Sequence, residues 1–369
     1  MNIELSGPDI TQAEIDAVTE VLRSGRLSLG PAVPRFEQAV AEYVGAKHAV
    51  AVSSGTCGLH LLIRAIEIEP DDEVITTPFS FVASSNCVLF ERGRVIFVDI
   101  DPGTWNIDPA RIEAAVTPRT RAIIAVNVFG QPADMDAINA IAARHKLRVI
   151  EDSCESLGAR YKGRKSGTLA DAGVFGFYPN KQITTGEGGM ITTNDDEIAR
   201  LCISMRNQGR DTGMGWLSHE RLGYNYRLSD VASAIGTVQM QRIGEILEKR
   251  RRVAQWYHEQ LAAEARISFQ QIHPDCEISW FVFVIKLADE YSEQDRANLI
   301  EKLRARGIGC SNYFAPIHLQ TFYRRQFNLR EGDFPVCEAV AARTIALPFH
   351  NHLTESQVAH VCDTLRSLL

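Results

Sequence analysis

Apolar positions change their spacing along this chain in a way that separates strands from helices. From about residue 50 to residue 190, short β-branched runs alternate with stretches of helical period: AVAVSS, GLHLLIRAI, EVITTP, the stretch around ASSNCVLF, RVIFVDI, RAIIAVNVFG, MDAINAIAARHK, LRVIEDS and AGVFGFY. In GLHLLIRAI, Leu59, Leu62, Ile63 and Ile66 fall at i, i+3, i+4 and i+7, which gives one buried helix face. This alternation predicts a mostly parallel sheet covered on both faces, the core of a large α/β domain.

After Tyr226 the stretch LSDVASAIGTVQMQRIGEILEKRRRVAQWYHEQLAAEA reads as a long helical link. Beyond it the pattern changes. SWFVFVIKL, SEQDRANLIEKLRARG and TESQVAHVCDTLRSLL read as the strands and amphipathic helices of a smaller α+β domain. At 369 residues the chain exceeds the size at which one core stops growing, so two domains are expected. The expected division is 1–250 for the large domain, with the N-terminal segment and linking helix, and 251–369 for the small one.

Composition narrows the function classes. A net charge of -7 opposes a nucleic-acid or anionic-membrane surface, because either needs a basic face. The start MNIELSGPDITQAEIDAV lacks a basic region followed by an apolar one, and no eighteen apolar residues run together, so the expected location is the cytoplasm. Eight cysteines are scattered without a C-x-x-C pair or clustered histidines, which is no metal pattern. They read as buried free thiols in a reducing compartment.

Ligands of open α/β sheets bind at the carboxyl ends of the strands, so chemistry is expected in the loops there. Ser53-Ser54-Gly55-Thr56 opens a helix, where free backbone N–H groups and the helix dipole suit a phosphate; a plain N-cap fits it as well. Asp152 ends LRVIEDS, where a carboxylate either caps the next helix or pairs with a protonated pyridine nitrogen. Such a pair is worth about 4 kcal/mol at 4 Å and an effective dielectric of 20. In GVFGFYPNKQITTGEGGMITT, Lys181 follows a strand that ends at Tyr178 and precedes a Gly-rich turn and a further strand. Partial desolvation there frees an amine for attack on a carbonyl. Lys162 and Lys165, in YKGRKSG, read as solvated surface charges. In TTPFSFVASS, Phe79 and Phe81 either pack in the core or stack on a flat ring. Arg206, Asn207 and Arg210 in RNQGR suit phosphates or form a solvated cluster, and His318 in FAPIH contacts a substrate or holds a loop, with the structural role favoured.

Taken in order, SGRLSLGPAVPRFEQAVAEYVGAKHAVAVSSGT, EDSCESLGA, the Lys181 segment, RNQGR, GYNYRLSD, FAPIH and ALPFH resemble the sugar aminotransferases of the DegT/DnrJ/EryC1/StrS family over nearly the whole chain. That resemblance implies the fold type I, aspartate aminotransferase-like architecture and pyridoxal 5'-phosphate as cofactor. By it, Lys181 holds the cofactor as a Schiff base and shuttles the proton, and Asp152 holds the ring nitrogen. Phe81 stacks on the ring, and Gly55 and Thr56 contact the phosphate. Asn225 reaches the phosphate of the partner subunit, which implies a homodimer with shared active sites. The implied reaction passes an amino group from glutamate to a nucleotide-linked keto sugar.

Two positions depart from the family pattern. Glu155 stands where many relatives have Gln or His near the cofactor's phenolic oxygen; it must be protonated, paired with a cation or turned aside. Gly176 stands where relatives often carry a phosphate-binding Ser. Lys181 points away from the dehydratases of the family, which have histidine there, and TTGEGG leans toward amination at C4 of a 4-keto-6-deoxy hexose. The alternatives are another fold type I reaction, elimination or desulfuration, and a cofactor-binding regulator without turnover. No cysteine lies in a loop with activating neighbours, which opposes a desulfurase.

Overall fold

The computed structural model describes residues 2–211, 213, 215 and 217–369. Among them the largest sheet has seven strands in the order His48–Val52, Gly189–Thr193, Ala172–Gly176, Arg148–Asp152, Thr120–Val126, Glu73–Thr76, Arg94–Phe97. Every neighbouring pair is parallel except the two made by Gly189–Thr193, which runs antiparallel to both its partners. The sheet is thus mostly parallel, as the alternating pattern predicts.

Successive residues of the strands point into different cores, the period-2 rule of a pleated strand. Val50 and Val52 pack with Leu59, Leu62 and Ile63 of helix Gly55–Ala65, while Ala51 between them packs with Phe36, Phe175 and Ile246. Ile124 joins the first of these cores, and Ile123 and Ala125 join Met135, Ile138 and Ile141 of helix Met135–His145. Both faces of the sheet are therefore covered.

A second sheet, Ile267–Phe269, Phe283–Leu287 and Thr344–Leu347, is antiparallel and lies on helices Glu293–Ala305 and Glu355–Leu368. The same core takes in Ile3 from the start of the chain. The architecture is α/β with a smaller α+β part, fold type I as expected.

Two details differ from the sequence reading. The link after Tyr226 is two helices, Asp230–Gln241 and Ile243–Leu261, broken at Arg242. There the guanidinium reaches Asp9 at 2.9 Å and Glu14 at 2.8 Å, tying the N-terminal segment to the break. The strand before Lys181 stops at Gly176 rather than Tyr178, because the Phe177 carbonyl turns into the loop and accepts the Thr185 N–H at 3.0 Å.

Of the cysteines, Cys87, Cys202, Cys310, Cys337 and Cys362 are buried, and all eight are free thiols. Among the described residues no helix is long and apolar enough to cross a membrane.

Candidate active site

Because the strands carrying them are parallel, the loops after His48–Val52, Glu73–Thr76, Arg148–Asp152 and Ala172–Gly176 all open on one edge of the sheet. That edge receives Ser53 to Thr56, Phe81, Asp152 and Lys181. The antiparallel strand Gly189–Thr193 returns the Lys181 loop between its neighbours.

Lys181 sits in a tight turn whose N–H donates to the Tyr178 carbonyl at 2.9 Å. Its Nζ is half-enclosed, 3.9 Å from the centroid of the Phe281 ring and 3.4 Å from Glu155 Oε1. The other oxygen of Glu155 accepts the Phe129 N–H at 3.0 Å. Phe129 holds a left-handed conformation at φ 57°, which aims that N–H inward. Of the three alternatives for Glu155, pairing with a cation is the one this geometry shows. Burial pushes its carboxyl up; the Lys181 charge and the Phe129 N–H draw it back only in part.

Asp152 is 6% exposed. Its Oδ1 accepts the Cys154 N–H at 3.2 Å, and among the described residues no cation lies within ion-pair distance of it. Burial pushes this carboxyl up as well. The Lys181 charge draws it back only in part, so this carboxyl suits a further positive charge supplied by a ligand.

Ser54 caps helix Gly55–Ala65, its hydroxyl accepting the Cys57 N–H at 3.1 Å, so the capping reading of this loop holds. Capping still leaves the first turn free to meet an anion. Gly55 and Thr56 start that turn, half-buried. A Cβ on Gly55 would lie 2.7 Å from the Cys154 sulfur, and one on Gly189 would lie 2.6 Å from the Ser54 carbonyl. The loop is thus wedged between the Cys154 loop and the start of strand Gly189–Thr193. Phe79 is fully buried, whereas Phe81 is 64% exposed. Asn225 is exposed and bridges Asn207.

The other candidates have partners within the chain. His318 is fully buried with Nε2 2.9 Å from Glu338. Arg206 pairs with Glu37 and also reaches the Ala51 carbonyl at 2.6 Å. Asn207 accepts from Arg227, and Arg210 donates to Gln208. Lys162 is a surface charge paired with Asp136. Lys165 is not: it is half-buried with its Nζ 3.6 Å from the centroid of the Tyr43 ring, a cation–π contact that adjacent charge patterning does not reveal.

The profile of the DegT/DnrJ/EryC1/StrS aminotransferase family matches residues 8–366. GDP-perosamine synthase of Caulobacter vibrioides is 38% identical over 100% of this chain and 98% of its own length. The spore coat polysaccharide biosynthesis protein SpsC of Bacillus subtilis is 37% identical over 98% and 96%. Among solved structures, Helicobacter pylori PseC, an aminotransferase involved in the biosynthesis of pseudoaminic acid, superposes with a TM-score of 0.94 at 29% identity, covering 100% of this chain and 99% of its own. The chain belongs to the DegT/DnrJ/EryC1/StrS aminotransferases. It is a pyridoxal-phosphate-dependent enzyme of that family.

The residues of this aminotransferase fit that cofactor. The buried Asp152 carboxyl, without an ion-pair partner among the described residues, suits a pyridinium, and the N–H groups at the start of helix Gly55–Ala65 suit a phosphate. Beside Lys181, the buried Asn180 Oδ1 has no hydrogen-bond partner among the described residues.

Four residues around the amine escaped the sequence reading: Phe129, Gln182, Arg250 and Phe281. Gln182 donates to the carbonyls of Glu155 and Ser279, and Arg250 to those of Lys181 and Phe281. Arg250 had a signal, since it falls in the apolar stripe of Ile246, Val253, Ala254 and Tyr257 within its helix. Phe281 and Phe129 had none beyond being aromatic.

Proposed function

We propose that this aminotransferase moves an amino group from glutamate to the keto carbon of a nucleotide-linked sugar, a 4-keto-6-deoxy hexose, for surface polysaccharide or amino-sugar synthesis. The observation that carries the reading is the Lys181 amine, enclosed between Phe281 and Glu155 on the edge where Asp152 lies without a counter-ion. The nucleotide sugar is supported by the relative named GDP-perosamine synthase, and C4 by the Thr-Thr-Gly-Glu-Gly-Gly run after Lys181.

When bound, pyridoxal phosphate supplies a carbonyl that exchanges amino groups and a ring that takes up electron density. Asp152 keeps the ring nitrogen protonated. Lys181 would hold the cofactor and, once its amine is free, would take up at Nζ the proton from the substrate carbon that bears the amino group and return it to the cofactor's carbonyl carbon. Glu155 Oε1, within 3.4 Å, accepts from that amine and keeps it oriented. Gly55 and Thr56 would hold the phosphate, Phe81 would lie against the ring, and Asn225 would reach the phosphate in the partner subunit's site.

Absorption spectra of the cofactor-loaded protein test this. A visible band is expected that glutamate discharges and a keto-sugar nucleotide restores. Lys181→Ala is expected to lose the native band and at least about a thousandfold in turnover. A band indifferent to every amino donor would favour the regulatory alternative, and a native band in Lys181→Ala would remove Lys181 from its role.

A further inference from the structure

Helix Ile243–Leu261 carries three consecutive arginines, and only one of them is inside the protein. Arg251 and Arg252 are exposed, whereas Arg250 is 3% exposed on the face of Ile246, Val253 and Tyr257. Among the described residues no carboxylate lies within ion-pair distance of it. Its Nη2 donates to the Lys181 carbonyl at 2.8 Å and its Nη1 to the Phe281 carbonyl at 3.2 Å, and among the described residues Nε has no hydrogen-bond partner. Burial draws its pKa down to about 10, which leaves it charged at neutral pH.

The Phe349 ring, its centroid 5.5 Å from Arg250 Cζ, gives the guanidinium a cation–π contact but no counter-ion. A buried cation without a carboxylate is costly, and an apolar residue of similar volume is often as good or better in such a place. What distinguishes the site is the identity of the two carbonyls. One belongs to the residue whose amine reacts, the other to the residue whose ring lies 3.9 Å from that amine. The same segment is fastened again from beside Lys181, where Gln182 donates to the Ser279 carbonyl at 3.0 Å.

We propose that Arg250 is a positioning residue for the Lys181 amine, its planar fork fixing the main chain of Lys181 against that of Phe281 and thereby the amine against the ring and Glu155. Two N–H groups in one rigid plane span two carbonyls; a lysine ammonium on a flexible stem does not. The inference rests on Lys181 being the amine that holds the cofactor.

The test uses R250M and R250K, stripped of cofactor and titrated with pyridoxal phosphate beside wild type and Lys181→Ala. R250M is expected to melt within about 5 °C of wild type. Its dissociation constant for pyridoxal phosphate is expected to rise about tenfold, the loss of a charge-assisted hydrogen bond. The pH midpoint of its visible band is expected to move, and kcat to fall with the keto-sugar KM unchanged. R250K should shift the same quantities less. A folded R250M with the wild-type dissociation constant and midpoint would overturn the proposal. If R250M does not fold, R250K decides, and wild-type values in it overturn the proposal equally. A native band in Lys181→Ala would instead sink the reading of Lys181 on which the proposal rests.

Discussion

Glu155 has one oxygen on an ammonium and the other on a backbone N–H, yet burial still holds its carboxyl above the ordinary value. A carboxyl raised on folding binds its proton more tightly in the folded chain than in the unfolded one. Its contribution to stability is therefore full below the unfolded value and is lost as pH rises through the folded value. Asp152 and Glu151 are raised by burial too and act in the same direction. Glu155→Gln cannot ionise. The melting temperature of the cofactor-free variant, relative to wild type, is expected to climb by a few degrees as pH goes from about 5 to about 8. Scanning calorimetry at three pH values measures it, and a constant difference would mean that Glu155 does not change its proton affinity on folding. At this scale the sequence told which residue was unusual but not which alternative held. The answer depended on the strained Phe129 and on a 3.4 Å contact, and neither leaves a mark in local pattern.

The turn at the start of helix Gly55–Ala65 was legible as a phosphate cradle or an N-cap, because hydroxyls and glycine at a helix start are local chemistry. Its tightness was not. Cys154, in the loop after strand Arg148–Asp152, and Gly189, at the start of strand Gly189–Thr193, close on it, and only the sheet order brings them there. Gly55→Ala would push a methyl to 2.7 Å from the Cys154 sulfur. It is expected to cost about 1–3 kcal/mol of stability through overpacking and to weaken pyridoxal phosphate binding about tenfold. Adding Cys154→Ala removes the obstructing sulfur and should recover most of both losses, a coupling that a double-mutant cycle measures. Additive losses would show that the glycine acts through its backbone conformation rather than through space. The same logic explains why the arginine of the linking helix was missed: a KRRR run looks like surface charge until its register against Ile246 and Val253 is drawn.

At the scale of the whole molecule, a single chain leaves large apolar side chains in solvent beside the residues assigned to the site. Phe81 and Tyr178 are exposed on its loops, and Leu217 and Leu222 in the segment leading to Asn225. A second copy that covers them would also bring Asn225 to its partner's cofactor, so the unit of activity is expected to be the dimer. Mixing two damaged chains tests this. A Lys181→Ala chain and an Asn225→Ala chain, unfolded together and refolded, form hybrids in about half of all dimers. Each hybrid holds one intact site, with Lys181 from one chain and Asn225 from the other, and one site lacking both. About a quarter of wild-type specific activity should therefore return from two preparations that are each nearly inactive. If the sites were complete within one chain, every Lys181 would stay with its own missing Asn225, and mixing would give only the average of the two parents. An Asn225→Ala chain that was fully active alone would also defeat the shared-site reading, because nothing would then be left for the partner to supply.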